Sequence, residues 1–217
     1  MGDIEIVGIG DGKFISFEGG EGAGKSTQML RLATYLEARG ITVVKTREPG
    51  GSPGAEEIRQ VLVEGPVDKW DSMAETMLLS AARRSHFAKL LEPALREGNW
   101  IICDRFSDST LAYQGYGQGI DFATIRELQI LAIGRFLPNL TFLLDIPVDE
   151  GLTRAKLRGD AARYERMGVE FHNRVRNGFL MLAAAESDRF VTIDAQLSEE
   201  EIAVQIRNCV NRRFGLN

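Results

Sequence analysis

The sequence predicts an α/β fold in which a parallel sheet of five strands lies between two layers of helices. Five short apolar runs alternate with longer segments whose apolar residues recur at helical spacing, and this alternation is typical of βαβ units. A glycine-rich segment at 19–26 follows the first apolar run, at a strand end where parallel sheets bind ligands. With 217 residues and no long linker, the chain is predicted to be a single domain, residues 1–217.

The first half of the chain is expected to form two strands and three helices after a loose extension at 1–12. The second strand is a β-branched run that stops where proline and glycine crowd together at 46–54. The third helix has a predicted core stripe that includes Met77 and Ala81, and Pro93 is expected to bend it. In order, the elements are strand 13–18, helix 25–39, strand 41–45, helix 55–63 and helix 72–96.

The second half of the chain supplies the other three strands. Pro138 and Asn139 end the helix before the fourth strand. Ser198 and Glu201 have the spacing of a capping box, which begins the last helix. In order, the elements are strand 100–103, helix 122–136, strand 140–144, helices 148–157 and 168–187, strand 190–193 and the final helix.

Charge and composition restrict the partners. A net charge of −5 argues against broad binding to nucleic acids or membrane surfaces, which are themselves anionic. No apolar run approaches the roughly 18 residues of a membrane span, and residues 1–12 lack the pattern of a signal sequence, so a cytoplasmic protein is expected. Cys103, Cys209, His86 and His172 lack the spacing of metal ligands, and we assign them no chemistry.

Residues 19–26 read GGEGAGKS and match the pattern GxxxxGK[ST]. Glycines carry no side chain that would keep the backbone at a distance, so the N–H groups of such a loop can surround a phosphate chain. Lys25 is expected to reach the β- and γ-phosphates, Ser26 to bind Mg²⁺, and the following helix to direct its positive end at the same charge. Strand, loop and helix occur in the required order, which predicts a fold of the P-loop NTPase type with three α/β/α layers.

The other side chains needed for phosphoryl transfer follow strands. This reaction depends on positive charge and positioning, so a carboxylate for Mg²⁺ and arginines for phosphates are expected. Two apolar strands end in an acid, Asp104 and Asp145. We favour Asp104 for the metal because Arg105 beside it supplies a phosphate-binding fork, and we expect a structural role for Asp145.

A basic cluster surrounds a helix break within residues 154–167. Arg158 and Arg163 flank the break and are predicted to close over bound phosphates as a short lid. A lid excludes water, which a kinase requires because water would otherwise hydrolyse its ATP. Lys156 and Arg166 are expected to stay solvated.

Five segments together resemble bacterial thymidylate kinase. The glycine-rich loop alone indicates only a superfamily, whereas TREPGG followed by DRxxxSTxAYQG points to one member. The segments are FEGGEGAGKST at 17–27, TREPGG at 46–51, AAR at 81–83, DRFSDSTLAYQG at 104–115 and RGDAARYE at 158–165. The resemblance extends from residue 13 to the last helix. It implies transfer of the γ-phosphate of ATP to dTMP, giving dTDP for dTTP synthesis, with Mg²⁺ and in a homodimer.

The resemblance also assigns roles to the matching residues around ATP. It implies that Glu21 lies between the two nucleotides, near the sugar 3′-hydroxyl or the metal, and that Lys25 and Arg105 are catalytic. Arg158 is implied to be the lid arginine that crosses to the phosphates during transfer. The residues implied to bind the ATP phosphates are Gly19, Gly20, Glu21, Gly22, Ala23, Gly24, Lys25, Ser26 and Thr27.

For dTMP, the resemblance implies a pocket of charged, polar and apolar side chains. Arg47, in a loop with an expected cis peptide bond at 48–49, is implied to grip the phosphate together with Arg105. Arg83 is implied to approach the thymine edge, and Tyr113 to lie against the sugar, where its ring excludes a 2′-hydroxyl. The residues implied to bind dTMP are Glu21, Arg47, Pro49, Leu79, Arg83, Arg105, Ser109, Tyr113 and Gln114.

Two positions depart from the family pattern. Leu79 stands where the family commonly has a phenylalanine that stacks on thymine, so the base is expected to be covered without aromatic stacking. In the lid, Ala162 replaces the acid that precedes Arg163, so the residue that would orient this arginine is expected to be missing. We therefore favour Arg158 over Arg163.

Two other functions stay open at this point. A kinase of the same fold could phosphorylate another nucleotide or nucleoside, and Leu79 favours this alternative. A P-loop ATPase or GTPase switch could couple hydrolysis to a partner, but a switch has no need of a second anion pocket formed by Arg47, Arg83 and Arg105. A purely structural role would leave Lys25 and the lid arginines without a purpose.

Overall fold

The structure, a computed structural model, describes residues 10–157 and 163–216. Its centre is a five-stranded sheet in which neighbouring strands run parallel, in the order β2-β3-β1-β4-β5. Every residue of the first strand is buried, so both faces of this middle strand are covered. The strands are β1 Phe14–Glu18, β2 Val43–Arg47, β3 Trp100–Asp104, β4 Leu140–Asp145 and β5 Phe190–Asp194.

Helices cover both faces of the sheet. They are α1 Lys25–Glu37, α2 Pro53–Val63, α3 Ser72–His86, α4 Glu92–Arg96, α5 Ser107–Thr110, α6 Phe122–Ile133, α7 Val148–Lys156, α8 Val169–Ala185 and α9 Glu199–Phe214. On one face, apolar residues of α1 and α9 form a core with the inward residues of the strands. On the other face, residues of α6 and α8 complete two further clusters. The predicted three-layer α/β/α fold with a parallel sheet is therefore confirmed.

Strand β2 lies two residues later than predicted, at Val43–Arg47 instead of 41–45. The N–H of Ile41 donates to the carbonyl of Leu36 at 3.2 Å, so this residue still belongs to the turn that ends α1. Pairing with β3 continues up to Arg47, which lies opposite Asp104. Arg47 is therefore the last residue of the strand. It lies beside the glycine-rich loop at 19–26, the phosphate loop.

The helical segment predicted at 72–96 is α3, a π-helical turn at Phe87–Leu91, and α4. The π turn precedes Pro93, which lies in the first turn of α4, where a missing N–H costs nothing. The predicted core stripe is wrong in its first half, because Met77 is 54% exposed and Ala81 is also exposed. The buried face of α3 instead carries Glu75, Arg83 and other polar residues, which can be buried because they are paired.

The last helix begins with the predicted capping box. The hydroxyl of Ser198 accepts from the backbone N–H of Glu201 at 3.3 Å, and the Glu201 carboxylate accepts from the N–H of Ser198 at 2.9 Å. In the part of the chain that the structure describes, no helix is both long and apolar enough to cross a membrane. Most of the predicted extension at 1–12, and the lid residues 158–162, lie outside the described ranges.

Candidate active site

The glycine-rich loop follows β1, the middle strand, and the ends of β2 and β3 lie on one side of it. Gly24, directly before α1, has a φ of 84°, a left-handed conformation that favours glycine. The ammonium of Lys25 is buried and donates to the carbonyls of Gly19 and Gly20, at 3.1 and 2.8 Å. Burial and the nearby Arg105 lower the pKa of Lys25 to about 8. The loop therefore holds its cation next to the backbone that is predicted to bind phosphate.

The two strand-end acids have different surroundings. Asp104 accepts a hydrogen bond from the hydroxyl of Ser26 at 3.0 Å, and both side chains border the same cavity. Asp145 accepts two hydrogen bonds from Arg176, at 2.7 and 2.8 Å. This bidentate pair fixes α8 to the end of β4. The geometry thus joins Asp104, and not Asp145, to the phosphate loop.

Arg105, Glu21 and Tyr113 form a cluster next to the loop. Arg105 has a φ of 69°, unusual for a residue with a side chain. Its guanidinium donates to the carbonyl of Gly19 at 2.9 Å and to Oε1 of Glu21 at 3.0 Å, and the hydroxyl of Tyr113 donates to the same Oε1 at 2.8 Å. Burial opposes ionisation of Glu21, but Arg105, Lys25 and the hydrogen bond from Tyr113 lower its pKa to about 2. Glu21 is therefore an anion at neutral pH.

Two cavities meet at this cluster. The first, of about 330 Å³, is bordered by the phosphate loop, Arg47 and Asp104. The second, of about 160 Å³, is bordered by side chains that include Leu79, Arg83 and Tyr113. The residues that border both cavities are Glu21, Glu48, Arg59, Arg105 and Glu165. The cavity at the glycine-rich loop thus opens directly onto a pocket with apolar, cationic and aromatic walls.

A buried polar network forms the floor of the second cavity. The Nε of Arg83 donates to one carboxylate oxygen of Glu48 at 2.8 Å, and Nδ1 of His86 lies 3.0 Å from the other oxygen. The second nitrogen of His86 lies 2.8 Å from the hydroxyl of Thr46. The peptide bond between Glu48 and Pro49 is cis, as expected. Together these contacts fix the loop after β2 and orient the guanidinium of Arg83.

Comparison with known proteins identifies the family. The family model for thymidylate kinase matches residues 17–206. The chain belongs to the thymidylate kinase family.

Individual members resemble it along almost their whole length. The thymidylate kinase of Caulobacter vibrioides is 50% identical over 205 residues, which cover 94% of this chain and 99% of the relative. That of Magnetococcus marinus is 47% identical over 204 residues, 94% of this chain and 97% of its own. The crystal structure of the Ehrlichia chaffeensis thymidylate kinase superposes with a TM-score of 0.73 at 37% identity, covering 92% of this chain and 98% of that one. The predicted resemblance is confirmed.

Several residues that the family resemblance placed around dTMP are engaged with other protein groups. Arg47 is about half exposed and pairs with Glu56 at 2.9 Å. It borders the first cavity and not the second. The hydroxyl of Ser109 donates to Glu18 at 2.5 Å, and Nε2 of Gln114 donates to Glu75 at 2.7 Å. Ser109 and Gln114 nevertheless border the second cavity. Their assignment to dTMP stays a prediction.

Arg158, the predicted lid arginine, lies outside the described residues, but Arg163 is within them. Arg163 is buried and donates to the carbonyls of Leu62 and Val67, at 2.8 and 3.0 Å, and to the carboxylate of Glu75. The expectation that Arg163 lacks an orienting acid is therefore wrong, because α3 supplies one. The expectation that Arg163 closes over phosphates is also wrong, because its donors bind the end of α2, the loop that follows it and the first turn of α3.

Sequence reasoning missed Arg59, which borders the site, and two buried acids, Glu18 and Glu75, that accept hydrogen bonds from side chains of its wall. Arg59 on α2 borders both cavities and donates to the carbonyl of Pro49 at 2.8 Å. Glu18 accepts from the backbone N–H of Phe106 at 2.7 Å as well as from Ser109, and burial with Asp108 nearby raises its pKa to about 8. Its position at the end of β1 was a usable signal, whereas Arg59 and Glu75 lie within helices that gave none.

Proposed function

We propose that this chain transfers the γ-phosphate of ATP to dTMP, giving dTDP and ADP, as a step in dTTP synthesis. The observation that carries the proposal is the meeting of the two cavities at Glu21 and Arg105. One cavity is bordered by the phosphate loop, and the other combines apolar and aromatic walls with a few polar and cationic side chains, as sites for nucleosides do. Membership of the thymidylate kinase family supports dTMP as the acceptor.

In the donor site, the phosphates of ATP would bind the backbone N–H groups of residues 19–27, with Lys25 beside them. Ser26 and Asp104 would hold Mg²⁺, since a hydroxyl and a carboxylate within 3.0 Å of each other are the hard oxygen ligands that this ion prefers. Within the described ranges no group of three or more His, Cys, Asp or Glu could hold a metal unaided, so phosphate and water oxygens would complete its shell. Bound Mg²⁺ offsets the negative charge of the transferring phosphate.

In the acceptor site, Arg105 and Arg47 would bind the phosphate of dTMP, and Arg59 is a third cation at the border of both cavities. Arg83 and Gln114 would meet the polar edge of thymine. Leu79, which is buried in the wall, would cover the face of the base. These roles leave the family assignments in place and add Arg59.

During transfer, the residues of the chain provide charge and position. Lys25 and Arg105 would stabilise the negative charge that spreads over the phosphoryl oxygens. Glu21, held by Arg105 and Tyr113, would orient the acceptor sugar or the metal shell from its place between the cavities. Arg158 would cross from the lid to the phosphates and exclude water.

We also propose that the enzyme is a cytoplasmic homodimer. ATP and deoxynucleotides are cytoplasmic metabolites, and members of the family usually form dimers. Helices α3 and α6 pack against each other, and exposed apolar side chains of this pair include Met77 and Leu131. A second copy of the chain would bury them.

A second candidate is a kinase of the same fold with another acceptor. Leu79 favours it, because an aliphatic side chain selects among base rings less strictly than a stacked aromatic one. The two candidates share the donor site and differ only in the acceptor.

The experiment that separates a kinase from an ATPase switch measures both products. The protein is incubated with Mg²⁺ and ATP, with and without dTMP, and ADP and dTDP are quantified. We expect equal amounts of ADP and dTDP, and little ADP when dTMP is omitted. ADP formation that does not depend on dTMP would contradict the proposal.

A further inference from the structure

His172, in the first turn of α8, is buried but incompletely paired. It is 5% exposed, and in the described part of the chain its Nε2 has no hydrogen-bond partner. The backbone carbonyls of Tyr164 and Met167, at the end of the lid, face the imidazole. Burial lowers the pKa of His172, so the ring is neutral near pH 7. A neutral imidazole has one donor and one acceptor, and the donor is used by the lid carbonyls. Nε2 is then a buried acceptor.

A small cavity of about 20 Å³ lies between this ring and the phosphate loop. It is bordered by Gly20 and Glu21 of the loop and by His172 and Arg176 of α8. Its volume suffices for one water molecule, which needs roughly 10–15 Å³ of such space. The cavity therefore lies between the residue that carries the unpaired nitrogen and the acid that the proposed mechanism uses.

The carboxylate of Glu21, which also borders this cavity, can accept a further hydrogen bond. Arg105 and Tyr113 both donate to Oε1 of Glu21, and within residues 10–157 and 163–216 no further hydrogen bond reaches this carboxylate. The Arg176 guanidinium gives only two of its five N–H groups to Asp145. Three residues that border the cavity can thus take part in further hydrogen bonds: His172 and Glu21 as acceptors and Arg176 as a donor.

We propose that one water molecule in this cavity donates one hydrogen bond to Nε2 of His172 and one to the carboxylate of Glu21, and that His172 thereby positions Glu21. A water molecule has two O–H groups, which match the two acceptors, and its oxygen can accept from Arg176. His172 acts through Glu21 and touches neither substrate. The link joins the end of the lid to the phosphate loop. This role rests on the proposed kinase function.

Two substitutions separate this role from a packing role, because they preserve different halves of the imidazole. In His172→Gln the side-chain amide reaches the position of Nε2, and in His172→Asn it reaches only the position of Nδ1, which faces the lid. We expect His172→Gln to keep kcat within about twofold, and His172→Asn to lower kcat roughly tenfold with the KM values for ATP and dTMP unchanged. Thermal unfolding of both variants checks that they fold.

The reverse order, with His172→Asn active and His172→Gln impaired, would show that only the lid contact matters and would overturn the proposal. Equal activities of the two variants would also overturn it.

A second experiment needs no enzyme activity. The chain has two histidines, so the imidazole ¹⁵N signals of His172 are assigned by their loss in His172→Gln. We expect an unprotonated Nε2 at pH 7 whose signal shifts in Glu21→Gln, while the His86 signals stay in place. A protonated Nε2, or a signal that Glu21→Gln leaves unchanged, would contradict the water link. If the wild-type protein proves inactive on dTMP, the proposed function fails, and this experiment still decides the link.

Discussion

At the scale of single residues, Lys25 combines two properties that oppose each other. Its ammonium is expected to bind phosphate, but burial and Arg105 lower its pKa to about 8 in the free protein. Above that pH the free protein loses the charge, and ATP must bind together with a proton. The pH dependence of ATP affinity therefore reports on this residue directly.

We expect the affinity for ATP, measured by calorimetry, to fall as the pH rises from 7.5 to 9.5, by up to about tenfold per pH unit once the pH exceeds the pKa of Lys25. Lys25→Met is the control, because it should bind ATP weakly and with little dependence on pH in this range. A wild-type affinity that stays constant, or that runs parallel to that of Lys25→Met, would exclude Lys25 from phosphate binding.

Arg105 is one of the residues that border both cavities. Arg105→Ala removes charged hydrogen bonds worth roughly 1.5–3 kcal/mol each, so we expect the KM for dTMP to rise about 10- to 100-fold. The exposed Arg96, which pairs with Glu92 far from the site, provides a matched control in Arg96→Ala. Steady-state kinetics with each substrate varied in turn measures the KM values for dTMP and ATP. A rise in the KM for ATP alone would show that the donor and acceptor cavities are assigned the wrong way round.

The local pattern of the sequence was enough to predict the glycine-rich loop between β1 and α1, and to predict that Asp104 rather than Asp145 lies beside it. Both depend on neighbours in sequence, such as Lys25 with Ser26 and Arg105 beside Asp104. Glu75 escaped prediction because its partner Arg163 is 88 positions away, and only the folded chain brings the two together. Arg59 escaped it because it lies within α2, where nothing in its neighbours marks it as a residue of the site. Spacing along the chain does not reveal which helix face turns towards a site.

At the scale of elements, the pair of Arg163 and Glu75 joins the end of the predicted lid segment to α3. Both side chains are almost completely buried. Removing one charge leaves the other buried without its partner, so Arg163→Met is expected to lower the free energy of unfolding by about 3–5 kcal/mol. The measurement is denaturant unfolding at neutral pH.

Two further variants test the cause of this loss. Arg163→Met combined with Glu75→Gln should lose less stability than Arg163→Met alone, because no uncompensated charge is left. The neighbouring Arg166 is exposed at the surface, and Arg166→Ala is expected to change stability by only about 0.5 kcal/mol. Equal losses in Arg163→Met and Arg166→Ala would rule out the buried pair as an anchor.

The sequence predicted correctly which segments form strands and most of those that form helices. It was less accurate about where they begin and which face of a helix is buried. The alternation of apolar runs and helical patterns predicted all five strands of the described sheet. The start of β2 was placed two residues early because Ile41 favours a strand by composition, while its N–H is used in the turn after α1. The predicted core stripe of α3 was wrong because polar side chains on this helix are buried in pairs, which a hydrophobic pattern does not predict.

At the scale of the whole molecule, the proposed homodimer makes a prediction about the surface. Leu131 on α6 is 62% exposed and lies on the helix pair α3 and α6 that we propose as the interface. Leu30 on α1 is 60% exposed and lies on the pair α1 and α9, away from it. We expect Leu131→Glu to convert the dimer into a folded monomer and Leu30→Glu to leave the dimer intact, because a buried charge destabilises an apolar interface. Sedimentation gives the mass of each variant. A monomeric wild type, or a Leu131→Glu variant that stays dimeric, would contradict this surface.

The central claim is that the second cavity selects dTMP. The most direct measurement is kcat/KM for a panel of nucleoside monophosphates, dTMP, dUMP, UMP, dCMP and dGMP, with ATP and Mg²⁺ held saturating. We predict the highest value for dTMP, with dUMP lower by about tenfold or more because it lacks one methyl group in the pocket, and UMP lower still. Equal values across the panel, or a higher value for another monophosphate, would contradict the account.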